Sequence, residues 1–241
     1  MTYFLTSSPF WVGSPYLNPA NHFLEELGKE LRSGCPAVFV CADPDRHAFT
    51  DHIAQDMKNA LESAGFSFSS FDILDGRNSG DAEKLVKNAG LVVLAGGHVP
   101  TQNAFFQQCG LRAAMRGFDG VVIGISAGSM NCAATVYAQP EEPGEAVSPT
   151  YRRFLPGLGI TKTMLLPHYQ MVKDDMLDGM RLFEDITYAD SFGRVFHAIP
   201  DGSYLLGRDG RETMFGACFR ISGGVMRQVC REDEAYIVQN N

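Results

Sequence analysis

The first half of this chain alternates short apolar runs with amphipathic stretches, and few folds accept that order. Tyr3 to Thr6, Ala37 to Cys41, Phe71 to Leu74, Leu91 to Ala95 and Gly120 to Ile123 read as strands. Between them, His22 to Arg32, Asp51 to Ala64, Asp81 to Asn88 and Gln102 to Arg116 carry helical patterns. Ser33-Gly34, Gly65 and Ala89-Gly90 stop the first three. Leu91-Val92-Val93-Leu94-Ala95 has no polar side, so both of its faces must be covered. Helical crossovers of this length join parallel strands. The expected fold is α/β, a mostly parallel sheet with helices on both faces.

The second half changes character. Gln139 to Pro156 is rich in Pro, Gly and Glu without an apolar period, and reads as an excursion loop. Met164 to Leu166 reads as a strand, Lys173 to Thr187 as a helix, and Val195 to Ile199 as a strand leading into Pro200-Asp201-Gly202-Ser203. From Tyr204 to Val238, turns at Asp209-Gly210 and Ser222-Gly223-Gly224 predict antiparallel hairpins near the C-terminus. No linker composition interrupts residues 1–241, so one domain is expected.

The net charge of −8 argues against sequence-independent nucleic-acid binding, which needs a basic surface. The six cysteines are scattered, with no C-x-x-C pair, and read as reduced thiols. Met1-Thr2-Tyr3-Phe4-Leu5-Thr6 lacks a basic n-region and a long apolar run, so it reads as a first strand rather than a signal peptide. No run reaches transmembrane length. A cytoplasmic protein without nucleic-acid or membrane partners is expected.

Chemistry concentrates at Gly124-Ile125-Ser126-Ala127-Gly128, between the fifth strand and a helix-competent stretch, Ser129 to Ala134. G-x-S-x-G in that setting is the nucleophile-elbow pattern. A sharp turn needs small neighbours and lifts the serine hydroxyl clear of the sheet. The bland alternative is a serine that only caps the helix. A serine needs a base. His22 and His52 fall in helical patterns, and His197 lies inside a strand. His168 follows a strand end, as Ser126 does, and is the best base; open α/β sheets gather their sites there. The orienting acid is sought in the loop between them, which holds Glu141, Glu142 and Glu145. Ala127 supplies one oxyanion donor, and Ala95-Gly96-Gly97-His98 offers Gly97 as the other.

Together, the glycine-rich turn at 95–98, Gly124-Ile125-Ser126-Ala127-Gly128-Ser129, the loop glutamates, Pro167-His168-Tyr169 and Pro200-Asp201-Gly202 resemble the dipeptidase E and cyanophycinase family of serine peptidases. The resemblance runs from about Tyr3 to Arg227 in its order of elements. It implies a class I glutamine amidotransferase-like fold with serine at the elbow, and metal-free, cofactor-free hydrolysis of an amide bond beside an aspartyl residue. In the dipeptidase branch the acid follows the serine by about fifteen residues, which makes Glu141 the first choice and Glu142 the second. Gly96, His98 and Arg181 are then the expected substrate contacts, Arg181 as the counterpart of an arginine that follows the histidine in that branch. A small peptide is the expected partner, and a homodimer is left open.

Two other readings follow from the same residues. A serine esterase of the α/β-hydrolase type needs a late histidine and a distant acid, and here only His197 comes later. A non-catalytic small-molecule or peptide-binding protein would keep the pocket without turnover.

Overall fold

The computed structural model describes residues 1–239. Strands β1 (Thr2–Thr6), β2 (Cys35–Val40), β3 (Phe68–Leu74), β4 (Leu91–Leu94) and β5 (Val121–Ile125) lie in the spatial order β1-β5-β4-β2-β3, every neighbouring pair parallel. On the far side of β1, strands Tyr204–Arg208, Arg211–Phe215 and Ala235–Ile237 continue the sheet antiparallel, making eight strands. The parallel part and the late hairpins are as the sequence predicts.

Alternation along the strands sorts the core into two layers. Val38, Val40, Val92, Leu94 and Val122 pack on one face with Val86, Phe105, Phe106 and Leu111 from helices. Ala37, Phe39, Val93 and Ile123 face the other way, against Phe23, Leu27, Met57 and Leu61. Helices therefore cover both faces, as wholly apolar strands require. Burying each such large side chain stabilises the fold by about 1.5–3 kcal/mol before entropy is charged against it.

Three stretches depart from expectation. The helical pattern of Gln102 to Arg116 is realised as two helices, Val99–Gln108 and Leu111–Ala114, broken where Gly110 turns left-handed at φ 66°. Lys173 to Thr187 is not one helix. It holds a two-strand hairpin, Met176–Leu177 with Met180–Arg181, followed by wide turns over Leu182–Thr187. Asp178-Gly179, both at positive φ, favours a hairpin tip over a continuous helix. Third, Met164–Leu166 and Val195–Ala198 do not extend the large sheet. They pair parallel to each other in a second, four-stranded sheet completed by Cys218–Ser222 and Val225–Cys230.

Buried polar groups join the two sheets. Glu212, on Arg211–Phe215 in the large sheet, is 6% exposed and accepts hydrogen bonds from Tyr3, Thr161 and Thr163. Thr163 immediately precedes a strand of the small sheet. A buried carboxylate is tolerable only with such partners. No helix among the described residues is long and apolar enough to cross a membrane.

Candidate active site

Ser126 sits between β5 and the helix Ala127–Asn131 at φ 50°, ψ −112°. A side-chain-bearing residue is strained at positive φ, and the surroundings must hold it there. Two contacts do so. The Ser126 N–H donates to the carbonyl oxygens of Thr6 and Ser7, each at 3.1 Å. Gly128 packs so closely on the ends of β4 that a Cβ there would strike the carbonyl oxygen of Leu94 and come within 2.8 Å of that of Ala95. The small-residue pattern is thus set by helix-to-strand contact.

The small sheet brings up the histidine and its acid. Leu166 pairs with Ala198 across two parallel strands, so the segments that follow run side by side. One carries His168 and the other Asp201. His168 Nε2 lies 2.9 Å from Ser126 Oγ, and Nδ1 lies 2.7 Å from Asp201 Oδ1. A carboxylate can only accept, so Nδ1 carries the hydrogen and Nε2 offers its lone pair to the serine. Burial works to raise the Asp201 pKa. Hydrogen bonds from His168, Ser7 and Gln170 outweigh it, and the carboxyl is held below its ordinary value.

The sequence reading did not single out Asp201 as the acid, and it missed Ser7 and Gln170 altogether. Ser7 Oγ donates to Asp201 Oδ1 at 2.6 Å and accepts from the His168 N–H at 2.7 Å. Gln170 Nε2 donates to Asp201 Oδ2 at 2.7 Å, and Gln170 Oε1 accepts from the Asp201 N–H at 3.0 Å. Ser7 had one legible signal: it directly follows β1, which must neighbour the elbow strand if the sheet is parallel.

Glu141 does not reach His168. Its Oε1 accepts the Val99 N–H at 3.1 Å, at the start of the helix Val99–Gln108. Glu145 accepts from the N–H groups of Glu141 and Glu142, and lies 2.9 Å from His98 Nε2. The glutamate loop is therefore folded onto His98 and the helix start, away from the Asp201 side of the imidazole. Spacing along the chain could not reveal this, because the small sheet supplies a carboxylate from much later in sequence. Glu142 lies with Glu145 and His98, their ligand atoms within 4.8 Å of one another, the grouping among the described residues that comes nearest to a metal site. His98 is already engaged there, with Thr101 Oγ1 2.7 Å from its Nδ1.

Two expected substrate contacts are also elsewhere. Arg181 is 58% exposed and bound to Asp185, Nη2 to Oδ1 at 2.7 Å, outside the cleft lining. His98 anchors the glutamate loop and does not line the cleft either. Gly96 and Gly97 are close to the serine. A Cβ on Gly96 would lie 3.4 Å from the Ser126 Cβ, and one on Gly97 would lie 2.6 Å from the Ala42 Cβ. At Gly97 the close pass of Ala42 leaves no room for a side chain, whereas at Gly96 the distance to Ser126 is an ordinary contact. Gly97, Ser126 and His168 open together onto a cleft of about 310 Å³, walled also by Val99, Met130, Glu141, Asp175, Leu177 and Leu182. His197 is 5% exposed in the small sheet with Nδ1 unpartnered, and burial, with Arg220 nearby, pushes its pKa down to about 4.

The family model described as peptidase family S51 matches residues 3–214. A peptidase from an acI-B1 Actinobacterium has a similar fold, with a TM-score of 0.71 at 17% identity, covering 98% of this chain and 96% of that one. A peptidase E-type protein from Listeria monocytogenes EGD-e superposes with a TM-score of 0.60 at 16% identity, covering 95% of this chain and 98% of its own. No curated protein matches the sequence.

Proposed function

The chain belongs to peptidase family S51 and is a serine-type peptidase, and from that premise we propose that it hydrolyses short peptides through Ser126, His168 and Asp201. The observation that carries this reading is the continuous hydrogen-bonded line from Ser126 Oγ through the imidazole to Asp201. His168 Nε2 takes the serine proton as Oγ attacks the carbonyl carbon. The imidazolium that forms keeps its Nδ1–H on Asp201, which stabilises the charge and fixes the tautomer. The same proton then passes to the leaving amine. Water repeats the sequence on the acyl-enzyme and frees the acid.

The N–H groups of Gly97 and Ala127 are the oxyanion donors in this scheme. The closeness of the Gly96-Gly97 turn to Ser126 supports the first, and the start of the helix Ala127–Asn131 the second. Removing one such donor typically costs about 3 kcal/mol of transition-state stabilisation. A triad ending on Glu141 has no support in the contacts of that residue. The aspartyl expectation lacks a partner as well, since no Lys or Arg is among the described residues lining the cleft. Six unpaired thiols, Cys41, Cys132, Cys218 and Cys230 among them buried, favour a reducing compartment such as the cytoplasm.

The test is a panel of dipeptides with acidic, neutral and basic first residues, assayed with wild type and Ser126→Ala, alongside labelling by a fluorophosphonate probe. Turnover and labelling that both vanish in Ser126→Ala support the proposal. Peptide hydrolysis that survives in the variant overturns it.

A further inference from the structure

The cleft beside Ser126 offers carboxylates at the place where a substrate residue must put its side chain. Its walls are largely apolar, through Val99, Met130, Leu177 and Leu182, while its acidic wall groups are Glu141 and Asp175. Of the loop glutamates, Glu145 is fully used: two backbone N–H groups and His98 surround it. Glu141 is not. One of its oxygens accepts the Val99 N–H, and no donor among the described residues reaches the other. The residue is exposed as a whole. Protein packed around its carboxyl nonetheless raises the pKa, which the Val99 N–H and His98 partly oppose and Glu145 and Glu142 reinforce. The free oxygen of a carboxylate so placed is left to a donor that enters the cleft, and a cationic N–H is the strongest such donor.

Position says which substrate residue this concerns. Val99 is two residues beyond Gly97, so the Glu141 carboxylate is anchored beside the turn to which the proposed scheme gives the oxyanion. The leaving amine departs on the His168 side. We infer that Glu141 selects a cationic nitrogen, ammonium or guanidinium, on the residue whose carbonyl Ser126 attacks, with Asp175 strengthening the negative field of the same cleft. The inference rests on the peptidase reading above and deepens it. The apolar walls take the methylene stem of a lysyl or arginyl side chain, or the body of a neutral residue whose free α-amine supplies the charge. An aspartyl side chain meets like charge there, so the site discriminates by repulsion as well as attraction.

Four substrates separate the two sources of the cation: lysyl-alanine and norleucyl-alanine, each with a free and an acetylated α-amine. If the side chain is read, kcat/KM for the lysyl peptide exceeds that for the norleucyl peptide by about tenfold or more. If the α-amine is read, the free norleucyl peptide exceeds its acetylated form by a similar factor. In either case Glu141→Gln collapses the ratio, and Glu141→Lys turns the preference toward aspartyl-alanine. The ratio is the readout, so a general loss of fold or rate does not imitate the effect. Wild-type preference for aspartyl-alanine, or a ratio unchanged in Glu141→Gln, overturns the inference. Labelling of Ser126 by a fluorophosphonate with no turnover of any of these peptides overturns it too, while leaving the activated serine standing. Absence of both labelling and turnover sinks the peptidase reading along with it.

Discussion

Asp201 accepts the Nδ1 hydrogen of His168 at 2.7 Å, although 33 residues separate the two in the chain. Two adjacent parallel strands of the small sheet deliver both groups to one place. Asp201→Asn should therefore favour the wrong tautomer and lower kcat by about 10³–10⁴-fold, with a much smaller change in KM. Steady-state kinetics on a neutral dipeptide checks this, because such a substrate does not engage the proposed cation site through its side chain. A near-normal kcat in Asp201→Asn would remove this carboxylate from the scheme.

Ser126 stores strain that its replacement can release. At φ 50°, ψ −112°, alanine is as ill-suited as serine, whereas glycine tolerates positive φ. Both Ser126→Ala and Ser126→Gly should lose acylation. The glycine variant should nevertheless be the more stable of the two by about 1 kcal/mol, or a melting temperature about 2–4 °C higher. Equal melting temperatures in calorimetry would mean that the backbone relaxes without cost.

Ser7 is buried outside the cleft lining and acts through its neighbours, bonding both the Asp201 carboxylate and the His168 backbone. Ser7→Ala should cost about tenfold in kcat and little in KM, since it loosens the base without altering the cleft wall. The rate of fluorophosphonate labelling should fall in parallel. A change confined to KM, or to thermal stability alone, would assign Ser7 a purely structural part.

His197 predicts an acid-sensitive fold. Its pKa is pushed down to about 4 by burial and by Arg220, whereas the unfolded chain keeps the ordinary value near 6.5. Between those values the unfolded state binds the extra proton, so stability falls as pH drops below about 6.5 and levels off below about 4. The loss is on the order of 3 kcal/mol once pH is below both values. Urea midpoints measured at pH 7 and pH 5 should differ more in wild type than in His197→Phe. An identical pH dependence in the two would show that other groups dominate.

The serine and histidine were legible because each carries a local signature. Gly124-Ile125-Ser126-Ala127-Gly128 reports close packing of helix on strand, and His168 directly follows an apolar run. The parallel strands were legible for the same reason: a run like Leu91 to Leu94, buried on both faces, has one kind of home. Asp201 was visible as part of a Pro-Asp-Gly turn, but its role was not. That role depends on Val195–Ala198 pairing with Met164–Leu166 in a second sheet, a long-range choice that no local pattern encodes. Glu141 misled for the converse reason. An acid at the right spacing in an intervening loop looks like a triad member until the loop folds onto His98 and Val99. The stretch from Lys173 to Thr187 has helical periodicity, yet the positive φ of Asp178 and Gly179 makes it a hairpin.

The nucleophile is mounted on one sheet and its base on the other, with Ser7 as the hydroxyl rivet between them. Such a machine can be disengaged without being dismantled. A displacement of the small sheet by an ångström or two would leave most of the shared core packed and the serine inert, because proton transfer needs the 2.9 Å approach of Oγ and Nε2. Catalytic rate in this protein is therefore a gauge of alignment between two sheets, and it should fade under mild denaturant before any spectroscopic sign of unfolding.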